Sequence, residues 1–509
     1  MVNSQLTVSI HKLDDDSLLN VFYLYRPFIL GEDEDEDSRL VGGDKGWDRA
    51  QWWYKISHVC QRWRKVILLS ASYLGIFLVC TKSTPVADVL RHSPPLPLLI
   101  DYPNINDDIS AEEEEESILA LKQYHRVHRV RLQMPVTSLQ KLIVAMDDEY
   151  PILEYLIIIH PVKDDSSISR FPETLQAPHL RHLLLEGVAL PMESRLLTTA
   201  VGLVTLYISM VHPSTYFHPN TLSQWLSFLP KLETLIVEFA FPVPNRDVER
   251  QSMDMPITTP VTLPNLRYFK FQGVSTYLEA LVHRITAPHL ERLRIELFNQ
   301  LTFSVSRLLQ FVDATENLRF KSAKFKISDK GVDVEVYPYD GAEMYALSIA
   351  IDCSHLDWQV SSAEQLFNSL SSLFSAVGHL TLEHRVPSRS SVEHNEADRT
   401  EWHRLLGSFR NVKTLRVDEG LVEELSRCLQ LDNGELSLEL LPELQELTYF
   451  GGDNTGDAFT SFIDARQVAG RPLTLVRRNP SPDRSPSLPS LESPLITPAG
   501  DEAGSDLGT

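Results

Sequence analysis

Pro230-Lys-Leu232-Glu-Thr-Leu235-Ile-Val237-Glu238 is the stretch on which the reading of the fold turns. Its two leucines stand three apart. Val237 follows the second at the two-residue period that puts alternate side chains on one face of a strand. The pattern Pro-x-Leu-x-x-(Leu or Phe) also begins at Pro94, Pro151, Pro178, Pro264, Pro288, Pro442 and Pro486. Composition alone accounts for about one occurrence, so the excess indicates a repeat. Six copies add the next inward apolar residue of a strand: Ile158, Leu185, Val237, Phe271, Ile295 and Tyr449. The copies at Pro94 and Pro486 carry Asp101 and Ser493 there and are set aside as strand repeats.

Weaker copies without proline fill the gaps at Val127–Leu132, Leu203–Ile208, Gly378–Leu382 and Val412–Val417. Stretches with helical spacing lie between, at Thr221–Leu229 and Ser361–Phe374. Strand then helix, repeated every twenty-odd to thirty-odd residues, predicts an α/β chain of parallel strands stacked side by side with helices outside, an irregular leucine-rich-repeat solenoid. The rival is an ordinary α/β domain whose strands are alike by chance.

The first eighty residues read as helical. Asp14-Asp-Asp-Ser17 supplies capping residues and carboxylates before Leu18, Leu19, Phe22 and Tyr25. A second helix is expected from near Asp48, with Trp52, Ile56, Val59, Cys60, Trp63, Val66 and Ile67 on one continuous stripe. The domain plan is then a helical module over 8–80 interrupted by an acidic loop at 31–48, a linker and solenoid cap over 81–124, the solenoid over 125–470, and a Pro/Ser-rich tail over 477–509. The tail is too poor in large apolar residues to order. Its Ser481, Ser485, Ser493 and Thr497, each followed by proline, suit proline-directed phosphorylation.

Leu13, Ser17-Leu-Leu-Asn-Val-Phe22 and Ile56-Ser-His-Val-Cys60-Gln-Arg-Trp63-Arg64 together resemble the F-box, and the order of parts is similar to fungal F-box proteins with a divergent leucine-rich-repeat domain. Val59, Cys60, Trp63 and Arg64 match that family's second motif in register. Asp14 stands where the family has proline, and the acidic insertion is longer than typical. The resemblance implies an adaptor role. The module would dock on a Skp-type adaptor, and through it a cullin, while the solenoid holds an unknown protein substrate. Ubiquitin transfer would belong to other subunits. Leu13, Leu18, Leu19, Phe22, Ile56, Val59, Cys60 and Trp63 are the expected docking residues.

Strand alternation selects the face opposite the inward leucines. His182, Glu186, Thr234, Glu238, Tyr268, Lys270, Arg292, Arg294 and Arg416 are the substrate-face candidates, with Leu184, Ile236 and Glu296 on the same rows. Both charge signs occur there, which suits a protein ligand better than a polyanion.

The 509 residues carry a formal net charge of −22, which disfavours nucleic acid as a partner. The acidic runs Glu32–Asp37 and Glu112–Glu116 belong in solvated loops or at a helix N-terminus. Four scattered cysteines make neither a disulfide framework nor a zinc site and indicate a reducing compartment, cytoplasmic or nuclear. No signal segment and no apolar run long enough for a membrane is present in the sequence. Nucleophile-elbow, phosphate-loop, dinucleotide and metalloprotease motifs are missing, so neither enzyme chemistry nor a cofactor is expected. The glycines at Gly451–Gly456 read as a turn.

Overall fold

Leu206, Leu235, Phe269 and Leu293 lie side by side on adjacent parallel strands, all completely buried. The row continues backward through Leu183, Leu156, Val130 and Ile100, each at most 1% exposed. A second row two residues on runs from Tyr102 through Leu132, Ile158, Leu185, Ile208, Val237 and Phe271 to Ile295. One repeat cannot cover its own leucines; stacking covers them with the neighbour's, which is why the pattern had to recur. Each such side chain contributes roughly 1.5–3 kcal/mol by burial.

The computed structural model describes residues 12–26, 51–82, 84–103, 109–160, 169–211, 215–242, 260–300, 303, 305–328, 330–353, 356–384, 399–429, 440–450 and 458–478. The acidic loop, the glycines at 451–456 and the tail beyond 478 therefore lie outside the described residues.

Among the described residues one 16-stranded sheet runs the length of the chain. We number its strands in chain order: β1 Leu78–Cys80, β2 Leu98–Tyr102, β3 Val127–Gln133, β4 Tyr155–Ile159, β5 His182–Glu186, β6 Thr205–Val211, β7 Thr234–Phe239, β8 Tyr268–Gly273, β9 Arg292–Leu297, β10 Ser322–Ile327, β11 Gly331–Tyr337, β12 Leu347–Asp352, β13 His379–His384, β14 Thr414–Val417, β15 Glu446–Phe450 and β16 Thr474–Arg478. Helices such as Ala111–Leu121, Val136–Val144, Pro219–Leu226, Ser275–Val282, Leu356–Ser369 and Arg399–Gly407 alternate with them. In the Pro-x-Leu turns the leucine N–H commonly bonds the carbonyl three residues back, as Leu180 does to Ala177, and in two units arginines add to this. Arg126 donates to the Pro94 and Leu96 carbonyls, and buried Arg466 donates to those of Leu441, Pro442 and Leu444.

Three expectations are corrected. The sheet begins at β1, well before residue 125, and the discarded copy at Pro94 is strand β2. Alternation along β2 points Leu98, Ile100 and Tyr102 inward and leaves Asp101 on the opposite face beside Arg131, while a register shift at Leu98/Leu99 passes over His128 of β3. The sheet is also not wholly parallel. β11 is antiparallel to both β10 and β12, giving the spatial order β9-β12-β11-β10-β13. Its signal was legible as Lys324-Phe-Lys-Ile327 and Val332-Asp-Val-Glu-Val336, two alternating runs across a short Gly-containing connection. Third, the second N-terminal helix is two. Helix α1 is Asp15–Tyr25, α2 is Trp52–Ser57 and α3 is Gln61–Leu69. Cys60 between the last two is extended, with φ −160° and ψ 169°, so the apolar stripe is broken there.

The run Glu112–Glu116 opens a helix, as charge placement allowed. Ser110 and Glu113 form a reciprocal capping box at its N-terminus. None of the four cysteines forms a disulfide; Cys80, Cys353 and Cys428 are buried and Cys60 is half-buried.

Candidate ligand-binding face

The face of the sheet opposite the leucine rows carries three lanes, because each strand shows it every second residue. The first lane runs Arg129, Tyr155, His182, Thr205, Thr234, Tyr268, Arg292. It is a stack of planar groups. The Arg129 guanidinium lies 4.1 Å from the Tyr155 ring centroid, and Tyr155 stacks on His182 at 4.4 Å and 14°. His182 Nδ1 meets Thr205 Oγ1 at 3.1 Å. Burial, reinforced by Arg181 and Arg129, pushes the His182 imidazole down to about 4, so it is neutral at pH 7. Further along, Arg292 covers the Tyr268 ring at 4.8 Å. Tyr268 is only 4% exposed, so this candidate supports Arg292 and offers little surface of its own.

The middle lane is apolar at first and charged later: Ile157, Leu184, Tyr207, Ile236, Lys270, Arg294. Leu184 and Ile236 face this side but are buried by their neighbours, so they are not contact residues. The third lane holds carboxylates: Glu186, then Ser209, Glu238, Gln272 and Glu296. Lys270 Nζ lies 2.7 Å from Glu238 and 3.6 Å from Glu296. Arg294 Nε lies 2.8 Å from Glu296. Burial disfavours the Lys270 ammonium, but Glu238 and Glu296 outweigh it and hold its pKa above the ordinary value. Tyr207 donates its phenolic proton to Glu238 at 3.1 Å.

Beyond the antiparallel insert the same face is built from residues the outward-row reasoning did not reach. Lys326 and Tyr337 both bond Glu335, and Lys324 pairs with Glu383 at 2.8 Å. A cavity of about 300 Å³ opens here, lined by Lys324, Tyr337, Asp340, Glu383, Arg416 and Phe450 among others. Arg416 is exposed, 4.0 Å from Asp340. Thus His182, Glu186, Thr234, Glu238, Lys270, Arg292 and Arg294 are brought onto one half-exposed surface, with Arg416 farther along. Sequence reasoning passed over Tyr207 and Ser209, although Leu206 and Ile208 flank Tyr207 at the same alternation.

No family model and no curated protein matches the chain. Among solved structures, it is similar to the TLR13–ssRNA13 complex at 13% identity, with a TM-score of 0.31, over 79% of this chain. It spans about half of that chain, 49%. It is similar also to the leucine-rich repeat-containing protein LegL7 from Legionella pneumophila at 9% identity and a TM-score of 0.24, over 68% of this chain and 93% of that one. At such scores no property passes from those proteins to this one. The stacked leucine rows decide the assignment. The fold is an irregular leucine-rich-repeat solenoid.

The helical module in front of the solenoid divides the expected docking residues. Leu18, Phe22 and Ile56 are buried in its own core; Leu13, Leu19, Cys60 and Trp63 are half-buried; Val59 is 58% exposed. Trp63 meets Phe22 edge-on at 5.0 Å. Asp14 caps α1, its carboxylate accepting from the Ser17 N–H at 2.6 Å. Arg62 ties α3 to the start of α1 through Asp15 and the Leu13 carbonyl. Trp53 Nε1 donates to the Phe77 carbonyl, joining the module to the segment that enters β1. Leu24, Tyr25, Tyr54, Val59, Leu69 and Tyr73 all remain exposed, and one small module with so much bare apolar surface calls for a cover.

Among the described residues no group of His, Cys, Asp and Glu could hold a metal, and no helix is long and apolar enough to cross a membrane.

Proposed function

We propose that the chain is a substrate-recognition adaptor of a cullin–RING ubiquitin ligase of the Skp–cullin–F-box type, cytosolic or nuclear, without catalysis or cofactor of its own. The helical module docks on the Skp-type adaptor and the open face of the solenoid holds a protein substrate. The bare apolar surface of the module carries the reading, because Val59 and its neighbours are exposed where the F-box resemblance asks for a partner. Asp14 in place of proline does not weaken the module, since its carboxylate caps α1.

The alternative is a ligase-independent repeat scaffold for protein–protein interaction. The use of Leu18, Phe22 and Ile56 in the module's own core favours it. Co-expression with a Skp-type adaptor separates the two. The ligase reading expects a complex that also captures a cullin and that Val59→Asp with Leu24→Asp abolishes while the melting temperature stays within a few degrees. Leu18→Asp would not serve, because it puts a carboxylate in the core. A wild-type chain that captures no adaptor, or a complex indifferent to the double substitution, leaves the scaffold reading.

A further inference from the structure

The reading of the open face as a substrate surface can be carried to the chemistry of what it holds. Across the third and middle lanes, carboxylates of the one alternate from strand to strand with groups of the other: Glu186 on β5, Tyr207 on β6, Glu238 on β7, Lys270 on β8, Glu296 on β9. Lys270 stands between Glu238 and Glu296 and reaches both. Tyr207 holds the same place between Glu186 and Glu238, but its single proton goes to Glu238. No ion pair reaches Glu186 among the described residues. Burial, and secondarily Glu238, pushes its carboxyl up to about 6. Directly opposite Glu186 in register stands Ser209, on the same face and 2% exposed; its hydroxyl makes no hydrogen bond of normal length, though it lies near enough to the Tyr207 phenol to favour that group's ionised form slightly. A buried hydroxyl without a full hydrogen bond beside a carboxylate without a cation is an incomplete site.

From this geometry we infer that the Glu186–Tyr207–Ser209–Glu238 position receives a lysine or arginine side chain of the protein ligand, completing the ladder that Lys270 completes one step along. The arriving cation bonds the Glu186 carboxylate, and the Ser209 hydroxyl accepts a further proton from it. Tyr207 supplies a ring beside the aliphatic stem or guanidinium plane. The net charge of −22 assists the approach of a basic segment, while the specific contact is Glu186. This inference rests on the open face being the ligand surface, and it does not require the ligase.

The test uses the full chain and a fluorescein-labelled lysine-rich peptide, with a glycine-serine peptide of equal length beside it, followed by fluorescence anisotropy. Glu186→Gln removes the site's charge without threatening the fold. Glu115→Gln removes the same charge from an exposed position on a helix. Tyr207→Lys places an ammonium where Lys270's counterpart is missing. The expected result is binding of the lysine peptide only, weakened about fivefold or more by Glu186→Gln, abolished by Tyr207→Lys and changed less than about twofold by Glu115→Gln. No binding by the wild type, or equal weakening by Glu186→Gln and Glu115→Gln, overturns the inference. Adaptor capture measured on the same variants is a separate readout. Its failure would sink the ligase reading and leave the peptide result standing.

Discussion

Lys270 Nζ sits 2.7 Å from Glu238 across neighbouring strands, with both side chains about one-seventh exposed, and Glu296 closes in from the other side at 3.6 Å. Sheltered this far from water, the three charges depend on one another. Lys270→Met should cost about 3 kcal/mol at pH 7, because it leaves Glu238 with the Tyr207 hydroxyl in place of a cation and Glu296 with Arg294 alone. The wild-type lysine has its pKa raised, so its contribution is complete below the ordinary 10.5 and lost only in more alkaline solution. Chemical denaturation of both proteins at pH 7 reads the difference; equal midpoints would contradict it.

Glu186 is the opposite case. Its pKa is raised to about 6 from 4.5, so the folded state binds its proton more tightly than the unfolded state. The benefit of the neutral acid is complete below 4.5 and disappears as pH rises through 6. Glu186→Gln should therefore stabilise the chain at pH 8, by up to roughly 1–2 kcal/mol, and have no such effect at pH 4. A matched pair of denaturation curves at the two pH values checks this.

Glu279 is 3% exposed and accepts from the N–H groups of Arg307 and Leu308 and from the Ser306 hydroxyl, at 2.8–3.2 Å. It caps the helix Ser306–Asp313 from the preceding one. Glu279→Ala leaves the buried Leu308 N–H without its acceptor and frees the more exposed Ser306 and Arg307 donors, and should cost about 1–3 kcal/mol. Hydrogen exchange at the 307 and 308 amides should accelerate most.

At Gly331 a methyl group would come within 2.2 Å of the Ile351 carbonyl oxygen. Gly331→Ala must push β11 away from β12, at about 1–3 kcal/mol or more. Loss of amide protection should concentrate in 331–337 and 347–352. Uniform protection across these strands would show that the contact relaxes without cost.

The repeat, its period, the inward leucines and the outward candidates were legible in the sequence, because alternation along a strand is a local property. Pro178-His-Leu180 and Pro264-Asn-Leu266 announced β5 and β8 without reference to any neighbour. The bulge at Leu98/Leu99 was not legible, since a one-residue shift shows only against the partner strand. Nor was the break at Cys60, where the apolar spacing continues across a change of backbone direction.

By itself the amino-acid sequence determined that leucines recur at a spacing one repeat cannot bury alone, and so that strands must stack with helices between them. Which outward residues meet was decided only by tertiary structure. Register placed Lys270 between Glu238 and Glu296, put Tyr207 beside Glu186, and covered Leu184, Ile236 and Tyr268. Those contacts join residues some thirty positions apart, and their energies depend on burial that exists only once neighbouring strands lie about 4.8 Å apart.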